Sequence, residues 1–178
     1  AEILKSRGYE VLALCGQGAI RPTDVKTETF TDFADLNERL HQHLAQVPYT
    51  AVIHAAAVSD FSVQEILKDQ QHLPLNRDAK MSSGGSLTIR LKPNFKILDR
   101  LKEYSLNKDI QVIGFKLTMN APPAESRAAA QSLLKGSVDA VVLNDWSRVA
   151  ADRSRHPGSF ILANEVTHDF QNLEELGE

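Results

Sequence analysis

Thiol chemistry is almost absent from this chain, because Cys15 is its only cysteine. No intrachain disulfide framework is possible, and the composition suits a reducing compartment. Cys15 stands in an apolar run and reads as a small buried hydrophobe. Long hydrophobic runs are also missing. None approaches the ~20 residues that cross a bilayer, so a membrane span is not expected. Neither sign of charge dominates, with 20 Lys and Arg against 23 Asp and Glu and a formal net charge of -3. Nothing global therefore favours nucleic acid or an anionic membrane. Internal repeats and low-complexity linkers are lacking too. What remains is an ordinary globular composition, 42% hydrophobic and 24% charged over 178 residues. That length fits one domain with a sizeable core.

The pattern along the chain alternates strand and helix. Ala1 to Gly8 reads as the last two turns of a helix, with Gly8 as its stop. A domain rarely begins in mid-helix and no signal peptide precedes Ala1, so an N-terminal strand and loop are expected to be missing. Tyr9 to Leu14 and Val25 to Phe30 read as strands. Thr31 is a plausible N-cap for a helix bearing Phe33, Leu36, Leu40 and Leu44, which ends near Pro48. Ala51 to Ala57 is a continuous apolar run, as in a strand buried on both faces. Residues 61–85 read as a polar, functional loop. Leu87, Ile89 and Leu91 alternate with polar residues like a half-exposed strand ended by Pro93. Phe95 to Tyr104 has helical spacing, and Ile110 to Leu117 reads as a strand. Asn120 can cap a helix that carries Pro122 and Pro123 in its first turn and stops at Gly136. Val138 to Leu143 is a buried strand. Ser159 to Ala163 and Glu165 to His168 form a hairpin around Asn164, and a helix begins at Leu173. The expected fold is α/β, Rossmann-like and three-layered, with a largely parallel sheet.

In such sheets ligands sit at the carboxyl ends of the strands, so the residues just after each strand carry the chemistry. Ala55, Ala56 and Ala57 let a ligand approach the backbone, and Asp60 offers a carboxylate to a sugar hydroxyl or a base amine. A tight packing run with a turn aspartate is the bland alternative. Lys80-Met-Ser-Ser-Gly-Gly85 offers a cation, hydroxyls and backbone donors to phosphate oxygens. A solvated hairpin lysine is the alternative there. Gly114 permits close approach, Phe115 can stack on a base and Lys116 can face a phosphate. Lys135 precedes a strand ending in Asn144 and Asp145, which either orient a polar ligand or make a turn.

Five segments in order, Ala55–Phe61, Lys80–Gly85, Leu87–Leu98, Ile113–Leu117 and Lys135–Asp145, resemble phosphopantothenate–cysteine ligase over nearly the whole chain. That family occurs as a stand-alone enzyme or fused to a decarboxylase flavoprotein, and the spellings here look more like the stand-alone form. The resemblance implies one ligase domain over residues 1–178, a homodimer paired through a protruding segment between residue 61 and Leu91, and a cytoplasmic location. It implies that Ala56 and Ala57 line the acyl substrate, with Asn144 as a further substrate contact. Nucleotide contacts would be Asp60, Lys80, Phe95, Lys96, Ile97, Leu98, Phe115 and Lys135, with Lys80 also offsetting charge in the reaction. Mg²⁺ is implied as a cofactor, and no residue is named as its ligand. Two features depart from the family: Gln131 stands where it has a further lysine, and its glycine-rich loop, with an asparagine that handles the intermediate, has no counterpart.

The implied reaction joins 4′-phosphopantothenate to cysteine through an acyl-nucleotide made from CTP, with ATP as the alternative co-substrate. A different reading is a short-chain dehydrogenase, because Val52 to Ala56 resembles its strand-end motif and Tyr104-x-x-x-Lys108 has its catalytic spacing. A third is a nucleotide-binding module without catalysis. Gly16-Gln-Gly18 reads as a loop, since Pro22 interrupts any following helix. His41 and His43 face different directions on a helix and do not suit a metal. His54 reads as a core histidine.

Overall fold

The computed structural model describes residues 1–75, 84–136, 138–151, 155–164 and 166–177. The chain divides into two compact units, Ala1–Ala56 with Ile97–Glu178, and Ala57–Lys96. The first unit opens with α1 (Glu2–Ser6), β1 (Leu12–Gly16), β2 (Lys26–Phe30), α2 (Phe33–Gln46) and β3 (Ala51–His54). The second holds β4 (Phe61–Lys68), β5 (Gln71–Leu73) and β6 (Leu87–Pro93). The chain then returns to the first unit with a 3₁₀ turn (Ile97–Arg100) running into α3 (Leu101–Tyr104). There follow β7 (Gln111–Thr118), α4 (Pro123–Leu134), β8 (Ala140–Asp145), α5 (Trp146–Ala151), β9 (Gly158–Leu162), β10 (Thr167–Phe170) and α6 (Leu173–Leu176).

The main sheet has the order β10-β9-β8-β7-β3. β3, β7 and β8 run parallel, while β9 and β10 are added antiparallel. β1 and β2 form a separate parallel pair. This is the parallel-rich α/β fold expected from the alternation of strand and helix. Its core is Leu36, Leu40 and Leu44 of α2, Leu101 of α3, Ile110, and Val112, Val141 and Val142 of the central strands, all buried. Each such side chain contributes about 1.5–3 kcal/mol by leaving water.

Local chemistry explains the element ends. Asp32, not Thr31, caps α2, because its carboxylate accepts from the Asp35 amide at 2.9 Å. Thr31 instead donates its amide back to the Asp35 carboxylate at 2.8 Å, a reciprocal pair like a capping box. Asn120 does not cap α4 either. It adopts a left-handed φ of 51° in the turn after β7, and Pro122 occupies the cap position. The Phe95–Tyr104 helix is shorter than its apolar spacing implies, starting at Ile97 and opening as a 3₁₀ turn. β3 is not buried on both faces, since Ala51 is exposed and Ile53 is 47% exposed. Its only described sheet neighbour is β7.

Asp139 ties the amino ends of the central strands together. Its carboxylate accepts from the Val112 amide at 2.7 Å and from Lys102 Nζ at 2.6 Å. Its backbone carbonyl accepts from the Ala163 amide at 3.0 Å.

The second unit is an antiparallel sheet, β5-β4-β6. Residues 61–85 are therefore not a simple loop. A register shift between Val63 and Glu65 breaks the alternation along β4, which is why its sequence does not read as a strand. The ladder puts Phe61, Val63 and Ile66 on the face shared by Leu87, Ile89 and Leu91. Of these, Phe61, Val63, Leu87, Ile89 and Leu91 are exposed. Asn94 closes the base of this unit: its amide donates to the Asp60 carbonyl at 2.8 Å and its side chain to the Ser59 carbonyl at 2.9 Å.

Candidate active site

Within the first unit, the carboxyl ends of β3, β7 and β8 lie side by side. The parallel ladder pairs His54 with Gly114, Phe115 with Val142, and Leu117 with Asn144. Laddered partners share a face and successive residues alternate. His54 and Gly114 therefore project to one side of the sheet, and Phe115, Leu117 and Asn144 to the other. The first side carries the 3₁₀ turn, because a Cβ added at Gly114 would stand 3.1 Å from Leu98 Cδ2. This is the close approach that the glycine in Ile113-Gly-Phe permits. Lys135 is the C-cap of α4 and is exposed. The next residue, Gly136, sits beside Asp99, with its Cβ position 3.9 Å from Asp99 Oδ1. The structure thus brings Ile97, Leu98 and Lys135 into one neighbourhood, and sets Phe115 and Asn144 on the opposite face.

Asn144 has a defined orientation. Its amide nitrogen donates to the Pro157 carbonyl at 3.0 Å. That carbonyl is only an acceptor, which fixes which end of the amide faces it. Asp145 is spent on structure. Its carboxylate accepts from the Ser147 hydroxyl, from Thr118 Oγ1 at 2.8 Å, and from the amides of Ser147 at 3.0 Å and Asn120 at 3.3 Å. These donors, the Ser147 hydroxyl first and Thr118 next, hold its carboxyl well below the ordinary carboxylate range. The sequence leaves Asn144 and Asp145 open as either ligand contacts or turn residues; the four donors assign Asp145 to the turn.

A carboxyl whose pKa is lower in the folded chain binds protons first in the unfolded chain. Its stabilisation is complete above the ordinary carboxylate pKa and is lost as pH falls below about 4. Asp145→Asn should therefore flatten the fall in melting temperature between about pH 4 and pH 2, measured by circular dichroism.

In the second unit Asp60 is exposed, and its carboxylate has no partner among the described residues. Phe95 and Lys96 lie in the exposed stretch after β6, and Ala57 precedes β4. Ala56 follows β3 in the first unit and is half-buried. Lys80, with Met81, Ser82 and Ser83, lies outside the described residues.

The dehydrogenase reading loses its catalytic pair. Tyr104 ends α3 and donates its hydroxyl to Asn37 Oδ1 at 2.8 Å, while Lys108 Nζ bonds the Ser105 carbonyl at 2.7 Å. His43 is bound to Glu28 at 2.9 Å and His41 packs edge-on against Tyr104. Gly16 ends β1 and a turn follows, so Gly16-Gln-Gly18 is the loop its sequence implies. Sequence reading passed over His54 as a core residue. The structure makes it half-buried, and burial lowers its pKa, so its imidazole is neutral at pH 7. No helix among the described residues is long and apolar enough to cross a membrane.

Small residues and polar groups are gathered at the carboxyl edge of this parallel-rich sheet, the edge at which open α/β sheets receive their ligands. The chain belongs to the DNA/pantothenate metabolism flavoprotein C-terminal domain family, whose profile matches residues 1–174. The resemblance drawn from the five segments holds at this level. Among curated proteins it is similar to the coenzyme A biosynthesis bifunctional protein CoaBC of Thermococcus kodakarensis, 30% identical over 146 residues. That match covers 81% of this chain and 33% of the relative. The CoaBC protein of Methanocaldococcus jannaschii is 29% identical over 150 residues, 83% of this chain and 33% of the relative. The chain thus spans about a third of the length of these relatives. Among solved structures it is similar to the DNA/pantothenate metabolism flavoprotein of Streptococcus pneumoniae, with 27% identity and a TM-score of 0.79. That match covers 99% of this chain and 80% of the other. A Cab2 variant solved with phosphopantothenate-cysteine shares the fold, with 17% identity and a TM-score of 0.66, covering 98% of this chain and 72% of the other.

Proposed function

We propose that this protein catalyses the condensation of 4′-phosphopantothenate with cysteine through an acyl-nucleotide, as a step of coenzyme A biosynthesis in the cytoplasm. The observation that carries the reading is the family match over residues 1–174, which includes every segment named above. The names of the CoaBC relatives and the phosphopantothenate-cysteine held by the Cab2 variant support it.

In the first step a carboxylate oxygen of phosphopantothenate attacks the α-phosphorus of CTP and pyrophosphate leaves. In the second, the cysteine nitrogen attacks the acyl carbon, the carbon–oxygen bond to the nucleotide breaks, CMP departs and the amine proton is released. Charge grows on phosphate oxygens in the first step, so cations placed there stabilise the transition state. Lys80 and Lys135 take that role. Asp60, Phe115 and the Phe95, Lys96, Ile97 and Leu98 stretch hold the nucleotide. Ala56, Ala57 and Asn144 face the acyl chain. No side-chain nucleophile is needed. Among the described residues no three His, Cys, Asp or Glu side chains gather as a metal site. Mg²⁺ would enter on the triphosphate, where it offsets phosphate charge.

The test is pyrophosphate release by the natural full-length protein with phosphopantothenate and either CTP or ATP, then product formation on adding cysteine. Release that requires phosphopantothenate supports the ligase; its absence with both triphosphates would end this reading.

The second unit fits self-association. Its exposed stripe of Phe61, Val63, Leu87, Ile89 and Leu91 is an apolar sheet face of the kind subunits cover. A homodimer pairing through this stripe is therefore expected. Leu91→Glu should convert the dimer mass seen by light scattering at micromolar concentration to a monomer mass. A monomeric unsubstituted protein would refute the pairing.

A further inference from the structure

His54 is a titratable side chain at the carboxyl edge of the main sheet that the chemistry above leaves unused. It is the last residue of β3, the strand that leads into Ala55, Ala56 and Ala57. Its ladder partner is Gly114, so no side chain stands beside it on β7. The atoms that occupy that place belong to Leu98, 3.1 Å from a Cβ built at Gly114. His54 and Leu98 therefore lie on the same side of the sheet, and both belong to the first unit. A histidine settled in a core has a hydrogen-bond partner for its ring. The His54 imidazole has none among the described residues, and its nitrogens are not sealed from solvent. A half-buried ring with an unspent donor and an unspent acceptor at a strand end is placed to receive a ligand.

We infer that His54 contacts the nucleoside part of the bound nucleotide at the carboxyl edge of the main sheet, from the side that carries Leu98, with Phe115 reaching the nucleotide from the other face. The inference rests on the proposed reading, because that reading makes the 3₁₀ turn a nucleotide support. The choice of nucleoside over phosphate follows from chemistry. Burial disfavours the imidazolium, and a neutral ring offers one donor and one acceptor, which suit a base or ribose better than a chain of anionic oxygens.

The experiment is calorimetric binding to the natural full-length protein, comparing the unsubstituted enzyme with His54→Leu and His54→Gln. The probes are CTP, CMP, ATP, AMP and pyrophosphate, and melting temperatures are measured alongside. His54→Leu should weaken a nucleoside triphosphate and its monophosphate by the same factor, roughly three- to tenfold for one lost neutral hydrogen bond. Pyrophosphate binding should not change, and His54→Gln should recover part of the loss. In turnover the loss should appear as a higher KM for the triphosphate, with kcat and the KM for phosphopantothenate within about twofold. Unchanged nucleotide binding in His54→Leu, or a fall confined to pyrophosphate, would overturn the assignment. So would a drop in melting temperature as the sole effect. Nucleotide binding that depends on His54 in a protein without ligase turnover would keep the contact and discard the reaction.

Discussion

Replacing Lys80 with alanine in the natural full-length protein is expected to slow pyrophosphate release by roughly ten- to hundredfold, the worth of one charge-assisted contact at about 1.5–3 kcal/mol. Lys80 stands in a polar Lys-Met-Ser-Ser-Gly-Gly stretch with little apolar surface to bury, so its removal should leave the melting temperature within about 2 °C. The separation of the two effects is the point of the measurement. A lysine that offsets charge on the triphosphate acts where negative charge accumulates in the transition state, so both kcat and kcat/KM for the first step should fall. Arginine at this position should recover only part of the rate, because a planar fork is not a compact point charge. If first-step turnover stayed near that of the unsubstituted protein while the melting temperature dropped, Lys80 would be structural.

Gly158→Ala should cost about 3 kcal/mol in denaturant unfolding, at the upper end of overpacking effects. The reason is geometric. A Cβ at this position would stand 2.5 Å from Asn144 Nδ2, 2.6 Å from the Leu143 carbonyl oxygen and 2.6 Å from Phe170 Cζ. Two of those neighbours resist displacement: the carbonyl is backbone, and Phe170 is buried. The third is the amide held by Pro157, so the substitution would also turn Asn144 out of its orientation. Gly84→Ala is the control, because nothing among the described residues lies within 4 Å of its Cβ position, and it should change stability by less than about 0.5 kcal/mol. Equal stability of the two variants would mean that β8 and β9 part easily at Gly158.

Much of the fold could be read from spacing alone. The 3.6-residue recurrence of Leu36, Leu40 and Leu44 places α2, and all three are buried. The hairpin around Asn164 and the helix at Leu173 follow from turn chemistry, with Asn172 capping that helix through the amides of Glu174 and Glu175 at 3.0 Å. What failed did so for identifiable reasons. The bulge after Val63 shifts the alternation of β4 by one residue and hides a strand inside a polar segment. A helix cap is settled by which neighbour the side chain reaches, and Thr31 and Asp32 look equally able in sequence. α5 was missed because Asp145 ends β8 and the helix begins at Trp146 with no connecting turn. The candidate site was legible through its strand-end residues, but not through their faces. The separation of His54 and Leu98 from Phe115 and Asn144 depends on register between strands, which a single sequence does not carry.

Two carboxylates bracket the central strands. Asp139 grips Val112 and Lys102 at the amino end, and Asp145 grips Thr118 and Asn120 at the carboxyl end. Between them β7 and β8 zip continuously from Ile113–Ala140 to Thr118–Asp145. In hydrogen–deuterium exchange the amides of these two strands should be released only by opening of the whole unit, whereas β3, laddered on one described side, should fray earlier. The slow-exchanging cassette would then be the frame of the site, and the strand that ends in His54 its yielding wall.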